Sequence, residues 1–399
     1  MPTSFAERLK AVAPSMTLAM NAKAAELRSK GVDVFSFGVG EPDFEPPRFV
    51  AEAAKKAIDD GLTAKYTAVT GIAPLKKAIC EATARSRGWE PTPDMITVTV
   101  GAKHALFNVA LALYQPGDEV VIPAPYWVSY PEQVRIVGAT PVHVETRVED
   151  GWRMSPAALE RALTPKTKAV ILCSPSNPTG TAYNEAEMRG LLDVLARHDC
   201  WLLVDEIYAE LVYEGFKHVS AAKLAPNLRS RMVIIDGVSK SYAMTGWRIG
   251  WSIAPRELAK ALDVVQGQST TNPSAVAQYA ALAALSGPQD EIAKNRAAFE
   301  KRRDAMVSGL SSLPGVKCRK PEGAFYAFPD CRGLYGLRWG DKVLASDEDI
   351  AFWLLERAHV AAVPGGAFGA PGYLRFSYAT NEERIAKGIA AIRAAISEA

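Results

Sequence analysis

The chain has 399 residues, of which 48% are hydrophobic and 23% are charged, and its 46 basic and 44 acidic residues leave a net charge of +2. This composition is typical of a globular protein and excludes a disordered or fibrous chain. A chain of this length buries about three quarters of its unfolded surface, so its core needs no disulfide or metal, and about two or three domains are expected. The near-neutral charge, without a run of like charges, predicts that nucleic acid is not a partner.

Export, membrane insertion and metal binding are also not expected. Glu7 and Arg8 lie where an export signal requires an unbroken apolar stretch. Apolar runs such as residues 169–173 are far shorter than the ~20 residues of a membrane-spanning helix. The cysteines are widely spaced, include no C-x-x-C pair and are predicted to be reduced thiols; they are Cys80, Cys173, Cys200, Cys318 and Cys331. The sequence therefore predicts a cytoplasmic protein without a membrane partner or a metal.

Strand-like and helical segments alternate through the middle of the chain. Residues 15–30 predict a first helix. Helical periodicity then covers Lys103 to Tyr114 and Asn184 to His198, as for helices that cover one face of a sheet. Short apolar runs predict buried strands at 96–100, 119–122, 141–144, 169–172, 201–204 and 233–235. The alternation predicts an α/β fold, a mostly parallel sheet with helices on both faces, over about residues 45–290.

The C-terminal part has a different pattern. Residues 290–313 form a charged helical stretch, and helices are predicted near 350–358 and 382–398. Strand-like pieces lie at 324–328, 360–363 and 373–378. We expect a smaller α+β domain here, formed by residues 1–44 and 291–399, with the first helix packed against it.

Two predicted strands end in segments suited to binding. The strand at 96–100 leads into Gly101, and small residues at a helix start let backbone N–H groups approach a phosphate, although many helices begin with glycine. The strand at 169–172 leads into the run SPSNPTG, in which Pro178 keeps Asn177 extended. A plain turn explains the prolines and the glycine but not the rigid placement of an amide.

The next strand ends in an acidic group. Asp205 follows residues 201–204, and its carboxylate would be costly to bury without a cationic partner such as a protonated pyridine nitrogen. Tyr208, three residues later, could donate a hydrogen bond to a phenolic oxygen. Taken alone, Asp205 is better explained as the cap of a following helix.

A further strand delivers a lysine. Lys240 follows the apolar segment at 233–235 and a run of small residues, at the strand end where open α/β sheets bind ligands. Burial lowers the pKa of a lysine amine, which can then form a Schiff base with an aldehyde. Arg248 follows eight residues later and has a planar fork suited to phosphate. Taken alone, Lys240 is better explained as a solvated surface lysine, but the neighbouring residues weaken that explanation.

Together these four strand ends resemble the class I aminotransferases, the pyridoxal-phosphate enzymes of fold type I that include aspartate aminotransferase. The similarity covers nearly the whole chain, and seven motifs occur in the family's order. They are GEPDF (40–44), KYTAVTG (65–71), PYWVSYPE (125–132), SPSNPTG (174–180), DEIY (205–208), SKSYAMTGWRIG (239–250) and LRFSYAT (374–380).

The resemblance implies roles around the ring of pyridoxal 5'-phosphate. Lys240 matches the lysine that binds the cofactor as a Schiff base and then moves the proton of the substrate α-carbon. Asp205 matches the aspartate that faces the ring nitrogen and keeps it protonated. Tyr208 and Asn177 match the pair that hydrogen-bonds the phenolic oxygen, and Trp127 matches the aromatic residue on the ring face.

It also implies how the phosphate is bound and how many copies of the chain are needed. The implied contacts are Arg248, Ser239, Gly101, Ala102 and Lys103 of one chain and Tyr66 of a second chain. A site completed by a second copy implies a homodimer. Gly237 stands where some members of the family have another phosphate-binding serine, so one phosphate contact is expected to be missing.

For the substrate, the resemblance is to the bacterial aspartate aminotransferase branch. Arg375 matches the arginine that binds the α-carboxylate, and Gly40 matches a glycine that lines the substrate pocket beside Trp127 and Asn177. The residues implied for the distal carboxylate are Thr17 and Lys103, with Ser269 and Thr270 of the partner chain. A solvated lysine in the first helical turn is the alternative for Lys103, although a cation there is disfavoured by the helix dipole. The expected substrates are small amino acids and 2-oxo acids. The expected reaction transfers the amino group of L-aspartate to 2-oxoglutarate.

Several other functions stay open. One alternative is an aromatic, prephenate or broad-range aminotransferase; several prephenate-active members have a lysine where this chain has Ala13. A carbon–sulfur lyase or decarboxylase on the same fold would need no keto-acid acceptor. A non-catalytic cofactor-binding regulator of transcription would carry an added DNA-binding domain, for which we expect no room before Thr17. A nicotinamide dehydrogenase lacks support, because no predicted strand is followed by G-x-G-x-x-G.

Overall fold

The structure, a computed structural model, describes residues 5–14 and 16–399. Ser15, where the first helix was predicted to begin, lies outside the described residues. The main feature is a seven-stranded sheet in the order β2-β8-β7-β6-β5-β3-β4. All neighbouring strands in it are parallel except β8, which is antiparallel to both β2 and β7. The strands are β1 (Phe35–Ser36), β2 (Ile96–Thr99), β3 (Glu119–Ala124), β4 (Thr140–Glu145), β5 (Thr167–Cys173), β6 (Trp201–Asp205), β7 (Met232–Gly237), β8 (Gly250–Ile253), β9 (Tyr326–Ala327), β10 (Arg338–Trp339), β11 (Lys342–Val343), β12 (Val360–Ala361), β13 (Val363–Pro364) and β14 (Leu374–Ser377).

Helices cover both faces of this sheet. Two separate groups of buried apolar side chains fill the two faces, one around Val98 and Leu202, the other around Ile122 and Leu203. Successive residues of β6 thus serve opposite faces, which is why buried parallel strands are apolar throughout. The α-helices are α1 (Met16–Ser29), α2 (Arg48–Asp59), α3 (Ala73–Arg87), α4 (Ala102–Leu113), α5 (Ser129–Ile136), α6 (Pro156–Ala162), α7 (Glu185–Leu195), α8 (Ala221–Leu224), α9 (Arg256–Gly267), α10 (Ala275–Ser286), α11 (Asp290–Ser311), α12 (Asp347–Arg357) and α13 (Glu382–Ser397).

A third apolar core lies outside the large sheet and draws on both ends of the chain. It joins Met20 of α1 and Phe37 to Phe299, Trp353 and Ile389 of α11, α12 and α13. The short strands β13, β14 and β9 form an antiparallel sheet here, and β1 pairs in parallel with β12. Helix α1 contacts β12 and β13.

The predicted fold class is confirmed: the sheet is mostly parallel, and helices flank it on both faces. Strand β8 differs from the prediction, in which its residues are only part of a motif. That strand is only four residues long and carries Gly250 and Ser252 among its apolar residues, which hides it as an apolar run. Among the described residues, no helix is long and apolar enough to cross a membrane.

Candidate active site

The strands β2, β5, β6 and β7 end at the same edge of the sheet, where a cavity of about 990 Å³ opens. This is the edge at which open α/β sheets bind ligands. Twelve of the predicted site residues line it: Thr17, Gly40, Ala102, Lys103, Trp127, Asn177, Asp205, Tyr208, Ser239, Lys240, Arg248 and Arg375.

Lys240 lies three residues after β7, with its ammonium inside the cavity. The Nζ atom donates a hydrogen bond to the backbone carbonyl of Gly40 at 2.6 Å. Burial lowers the pKa of Lys240 to about 8, against the opposing effect of the Glu41 carboxylate. A lysine with such a pKa has a larger neutral, nucleophilic fraction near neutral pH than an exposed lysine.

Asp205, the last residue of β6, is a buried carboxylate that faces the cavity. Its oxygens accept hydrogen bonds from the hydroxyl of Tyr130 at 2.7 Å and from the backbone N–H of Ile207 at 3.2 Å. Burial raises the pKa of Asp205 to about 6, and the hydrogen bond from Tyr130 acts in the opposite direction. No ion pair joins Asp205 to a cation in residues 5–14 and 16–399, so the site is suited to a cationic group of a ligand.

The start of helix α4 and Arg248 form another part of the cavity. Gly101 caps α4 with φ 84°, and a Cβ there would lie 2.6 Å from Nη2 of Arg248. Gly250 of β8 also has to be glycine, because its Cβ would lie 2.3 Å from the backbone nitrogen of Ala102. These glycines let the helix N-terminus, the strand and a guanidinium approach closely. Backbone N–H groups beside a guanidinium suit a phosphate.

Gly237, where the resemblance led us to expect a missing phosphate contact, is itself packed tightly. A Cβ at this position would lie 2.9 Å from the Cα of Gly250 and 3.0 Å from the carbonyl oxygen of Ile249. A serine at Gly237 would therefore force β7 and β8 apart.

Arg375, in β14, is a buried cation without a carboxylate partner in the described part of the chain. Its Nη1 donates to Oδ1 of Asn177 at 3.0 Å, and its Nη2 donates to the carbonyl of Gly38 at 2.7 Å. Its Nε has no hydrogen-bond partner in the described structure, although Arg375 is only 2% exposed. A buried, unpaired guanidinium is unfavourable unless a ligand supplies the anion.

Tyr208 is held by a tyrosine that the sequence analysis did not select. The hydroxyls of Tyr208 and Tyr326 lie 2.9 Å apart, and both residues are buried. Tyr326 also explains Gly40, because a Cβ at Gly40 would lie 2.8 Å from the Tyr326 hydroxyl. The guanidinium of Arg375 lies 4.6 Å from the centre of the Tyr326 ring. One tyrosine thus contacts three predicted site residues.

The cavity carries a further cation beside Trp127. The Nζ atom of Lys103, in the first turn of α4, lies 4.9 Å from the centre of the Trp127 ring. Burial, together with the positive charge of Arg248, lowers the pKa of Lys103. The hydroxyl of Thr17, in α1, is buried and has no hydrogen-bond partner in the described structure. Both groups are available to an anionic ligand.

Apart from Gly101 at the start of α4, the predicted residues that do not line the cavity of their own chain are Tyr66, Ser269 and Thr270. Tyr66 is 90% exposed, the Ser269 hydroxyl donates to the carbonyls of Val265 and Gln266 at the end of α9, and the Thr270 hydroxyl donates to the carbonyl of Thr271. The loop that carries Tyr66 and the loop that carries Ser269 and Thr270 are both bonded to the buried Gln266. The side-chain amide of Gln266 donates to the carbonyl of Val69 in the first loop, and the backbone N–H of Thr271 in the second loop donates to the backbone carbonyl of Gln266. The three side chains were predicted to act in the site of a second copy.

Comparison with known proteins identifies the family. The family model described as aminotransferase class I and II matches residues 32–392. The chain is therefore a class I and II aminotransferase. It is 49% identical to an aspartate/prephenate aminotransferase of Cereibacter sphaeroides over 98% of both chains. It is 47% identical to an aspartate aminotransferase of Geobacillus stearothermophilus over 94% of this chain and 95% of that protein.

Solved structures show the same relationship for this aminotransferase. The aspartate aminotransferase of Rhizobium meliloti superposes with a TM-score of 0.95 at 46% identity, over 99% of both chains. The aspartate aminotransferase of Thermus thermophilus with maleate gives a TM-score of 0.92 at 42% identity, over 98% of this chain and 100% of that chain. The expected family is confirmed.

Aminotransferases of this family depend on pyridoxal 5'-phosphate, and the residues present fit that cofactor. The buried Asp205 lacks a cation, which a protonated ring nitrogen would supply. Arg248 and the N-terminus of α4 suit the phosphate, and the Lys240 amine has a lowered pKa. Among the described residues, no group of three or more histidine, cysteine or acidic side chains is placed to hold a metal ion.

Tyr130 and Tyr326 are site residues that were not predicted from the sequence. Tyr130 lies three residues after Trp127 within a motif already quoted, and this spacing places both side chains on one side of a helical turn, where their rings lie 5.4 Å apart. Its signal was therefore present. Tyr326 lies in a segment correctly predicted as strand-like, but nothing in the sequence indicated that β9 would lie beside the cavity.

Proposed function

We propose that this aminotransferase moves the amino group of L-aspartate to 2-oxoglutarate, giving oxaloacetate and L-glutamate in turn at one site. The observation that carries the proposal is the pair of cations, Arg375 and Lys103, on the lining of one cavity. Neither forms an ion pair with a carboxylate of residues 5–14 and 16–399. A dicarboxylate substrate would supply one anion to each. The relatives named aspartate aminotransferases support the same substrate class.

In this proposal, the side chains of the cavity have different roles. When bound, pyridoxal 5'-phosphate supplies an electron-accepting ring and the carbonyl carbon that carries the amino group. Arg375 binds the α-carboxylate through two parallel hydrogen bonds, for which a planar guanidinium is suited. Lys103 and Thr17 bind the distal carboxylate. Lys240 would move the proton from the substrate α-carbon to the cofactor carbon that receives the amino group, and in the opposite direction in the second half of the cycle.

The remaining predicted residues hold the cofactor. Asp205 keeps a proton on the ring nitrogen, because a buried carboxylate beside that atom stabilises its cationic form. Tyr208 and Asn177 hydrogen-bond the phenolic oxygen, and Trp127 covers one ring face. The phosphate is bound by Arg248, Ser239 and the backbone of Gly101, Ala102 and Lys103.

The test is an absorbance spectrum of the purified protein, before and after L-aspartate is added. We expect a visible band from the bound cofactor that is replaced by the band of its aminated form. Addition of 2-oxoglutarate should restore the first band. A protein without absorption above its own aromatic band, even after pyridoxal phosphate is supplied, would contradict the proposal.

Prephenate is the second candidate acceptor, because the relative at 49% identity is named an aspartate/prephenate aminotransferase. At Ala13, where several prephenate-active members have lysine, the backbone N–H donates to Oε2 of Glu132 at 2.9 Å. A methyl side chain there adds no cation to the cavity, so we expect weak activity with prephenate. The ratio of kcat/KM for oxaloacetate and prephenate decides between the two acceptors.

We further propose that the enzyme is a homodimer whose sites are shared between subunits. The exposed Tyr66, together with Ser269 and Thr270, supports this arrangement, because these side chains have no role in their own cavity.

The domain division and the compartment are also proposals. A large cofactor-binding domain at 45–290 and a small domain from 1–44 and 291–399 are supported by the apolar core that both chain ends share, to which residues 207–213 of the large domain also contribute. The cysteines carry free thiols, which supports a reducing compartment such as the cytoplasm.

A further inference from the structure

A buried ionic cluster lies behind the cavity, around an arginine that the mechanism does not use. Arg87 is the last residue of α3, and its side chain is only 6% exposed. Its Nε donates to Oε2 of Glu206 at 3.0 Å, its Nη1 to Oε1 of Glu210 at 2.6 Å, and its Nη2 to Oδ2 of Asp236 at 2.8 Å. Each nitrogen of the guanidinium therefore binds a different carboxylate.

Two of these carboxylates, Glu206 and Asp236, lie at the strand ends that carry the proposed cofactor-binding groups. Glu206 directly follows Asp205 at the end of β6, and Asp236 lies in β7, four residues before Lys240. The two strands are neighbours, and the backbone N–H of Glu206 donates to the carbonyl of Ile235 at 2.8 Å. Asp205 faces the cavity, whereas the next residue, Glu206, bonds Arg87. Adjacent residues of the chain therefore connect the ionic cluster to the site.

Arg87 supplies the guanidinium charge that balances the carboxylates of the cluster. One guanidinium faces three carboxylates, and His218 Nε2 lies 3.5 Å from Oε2 of Glu206. Burial raises the pKa of Asp236 to about 7 against the opposing effect of Arg87. Burial also opposes ionisation of Glu206, but His218 and Arg87 outweigh it and hold the pKa of that carboxyl below its usual range.

A buried ion pair is by itself weak evidence for stability, because the desolvation of its charges offsets their attraction. The position of this cluster is more informative. A planar fork bound to two adjacent strand ends fixes the distance and the angle between them, which a single point charge cannot do.

We propose that Arg87 is a positioning residue for transamination, which clamps the ends of β6 and β7 and so holds Asp205 in register with Lys240. The inference rests on the proposed function of those two residues. Displacement of one strand end relative to the other would separate the ring-nitrogen contact from the amine that moves the proton. Misplacement by about 1 Å can lower a rate by about 100-fold.

The test compares Arg87→Lys with wild type and with Arg85→Lys. The lysine keeps the charge of Arg87 but not its three-way hydrogen bonding. Arg85 is a matched control on the same helix, whose guanidinium instead donates to the carbonyl of Leu285. For each protein we would measure kcat, KM for aspartate, the melting temperature, and the affinity of the cofactor-free protein for pyridoxal phosphate.

For Arg87→Lys we expect kcat to fall about 10- to 100-fold and cofactor affinity to fall as well. KM for aspartate should stay within about twofold, because Arg375 lies on β14, outside the clamp. Arg85→Lys should match wild type. A lower melting temperature of Arg87→Lys with unchanged kcat and cofactor affinity would show a purely structural role and overturn the proposal.

A second variant covers the case in which Arg87→Lys does not fold. Asp236→Asn removes one buried carboxylate and leaves Arg87 bound to Glu206 and Glu210. The clamp predicts a smaller decrease in kcat at unchanged KM, and an unchanged kcat overturns it. Wild-type protein that binds no pyridoxal phosphate would contradict the proposed function itself, and the clamp with it.

Discussion

Burial moves the pKa values of Lys240 and Asp205 toward each other, from opposite ends of the scale. The amine has a pKa of about 8 and the carboxyl one of about 6, because desolvation disfavours the charged form of both. Without a cofactor, the cavity thus contains two groups whose charged forms destabilise the folded protein, because burial removes their hydration. A bound pyridinium and a bond to the amine would remove both costs, so the cofactor-free protein is expected to be destabilised by its own active site.

Lys240→Met tests this cost in cofactor-free protein. Below about pH 8 the lysine is charged in both the folded and the unfolded state, and the folded state bears the desolvation cost. The variant should therefore be more stable at pH 7, by up to about 3 kcal/mol for a pKa lowered from 10.5 to about 8. Its advantage should shrink as the pH rises from about 8 toward 10.5, where the unfolded lysine also loses its proton.

Urea unfolding of both proteins at a series of pH values measures the difference. Lys260→Met, at an exposed position on α9, is the control and should show no such pH-dependent gain. Equal stability of Lys240→Met and wild type at pH 7 would show that burial of the ammonium is not costly.

At the scale of elements, the N-terminus of α4 contacts two different anionic groups in the proposed complex, the cofactor phosphate and the distal carboxylate of the substrate. Its backbone and Gly101 lie beside Arg248, while the Lys103 side chain reaches Trp127 on the cavity lining. A cation in the first turn opposes the helix dipole. That unfavourable placement is explained if Lys103 binds the distal carboxylate of the substrate.

Lys103→Ala should lower kcat/KM for acidic substrates more than kcat/KM for aromatic substrates. Loss of a hydrogen bond to a charged group costs about 1.5–3 kcal/mol, so kcat/KM for aspartate should fall about 10- to 100-fold. The value for phenylalanine, which has no distal carboxylate, should change by less than about threefold. Steady-state kinetics with both amino acids give the ratio.

The control for this change is Lys77→Ala, on an exposed face of α3, where the lysine pairs with Glu81 at 3.7 Å. It should leave both values of kcat/KM unchanged. An equal loss with aspartate and phenylalanine in Lys103→Ala would assign Lys103 to the cofactor phosphate instead of the distal carboxylate.

At the scale of the whole molecule, one chain supplies an incomplete set of the predicted residues. Lys240 lines the cavity, whereas Tyr66 is exposed and outside it. If a symmetric dimer completes each site, the two residues come from different subunits. Hybrids of two inactive variants can then regain one intact site.

The expected outcome is recovery of activity when Lys240→Ala and Tyr66→Ala proteins are unfolded together and refolded. In a hybrid dimer one site combines both changes and the other has neither. Since about half of randomly formed dimers are hybrids, about a quarter of the wild-type activity should return. Activity is measured on the mixture and on each variant refolded alone.

Mixing Lys240→Ala with Asp205→Ala provides the matched comparison. Asp205 and Lys240 line the cavity of one chain, so every site of that hybrid retains a defect. No recovery is expected there. Recovery with neither pair would exclude a site shared between subunits.

The sequence by itself determined the α/β class and most of the order of strand and helix, and its resemblance to a known family selected the motif residues that converge at the sheet edge. The class and the order of the elements follow from local patterns, because buried parallel strands are apolar and their ends meet at one edge. Only the tertiary structure decided that Tyr130 bonds Asp205, that Tyr326 touches Tyr208, and that Arg87 joins β6 to β7. These contacts join residues 75 to 149 positions apart, and no local spacing encodes them.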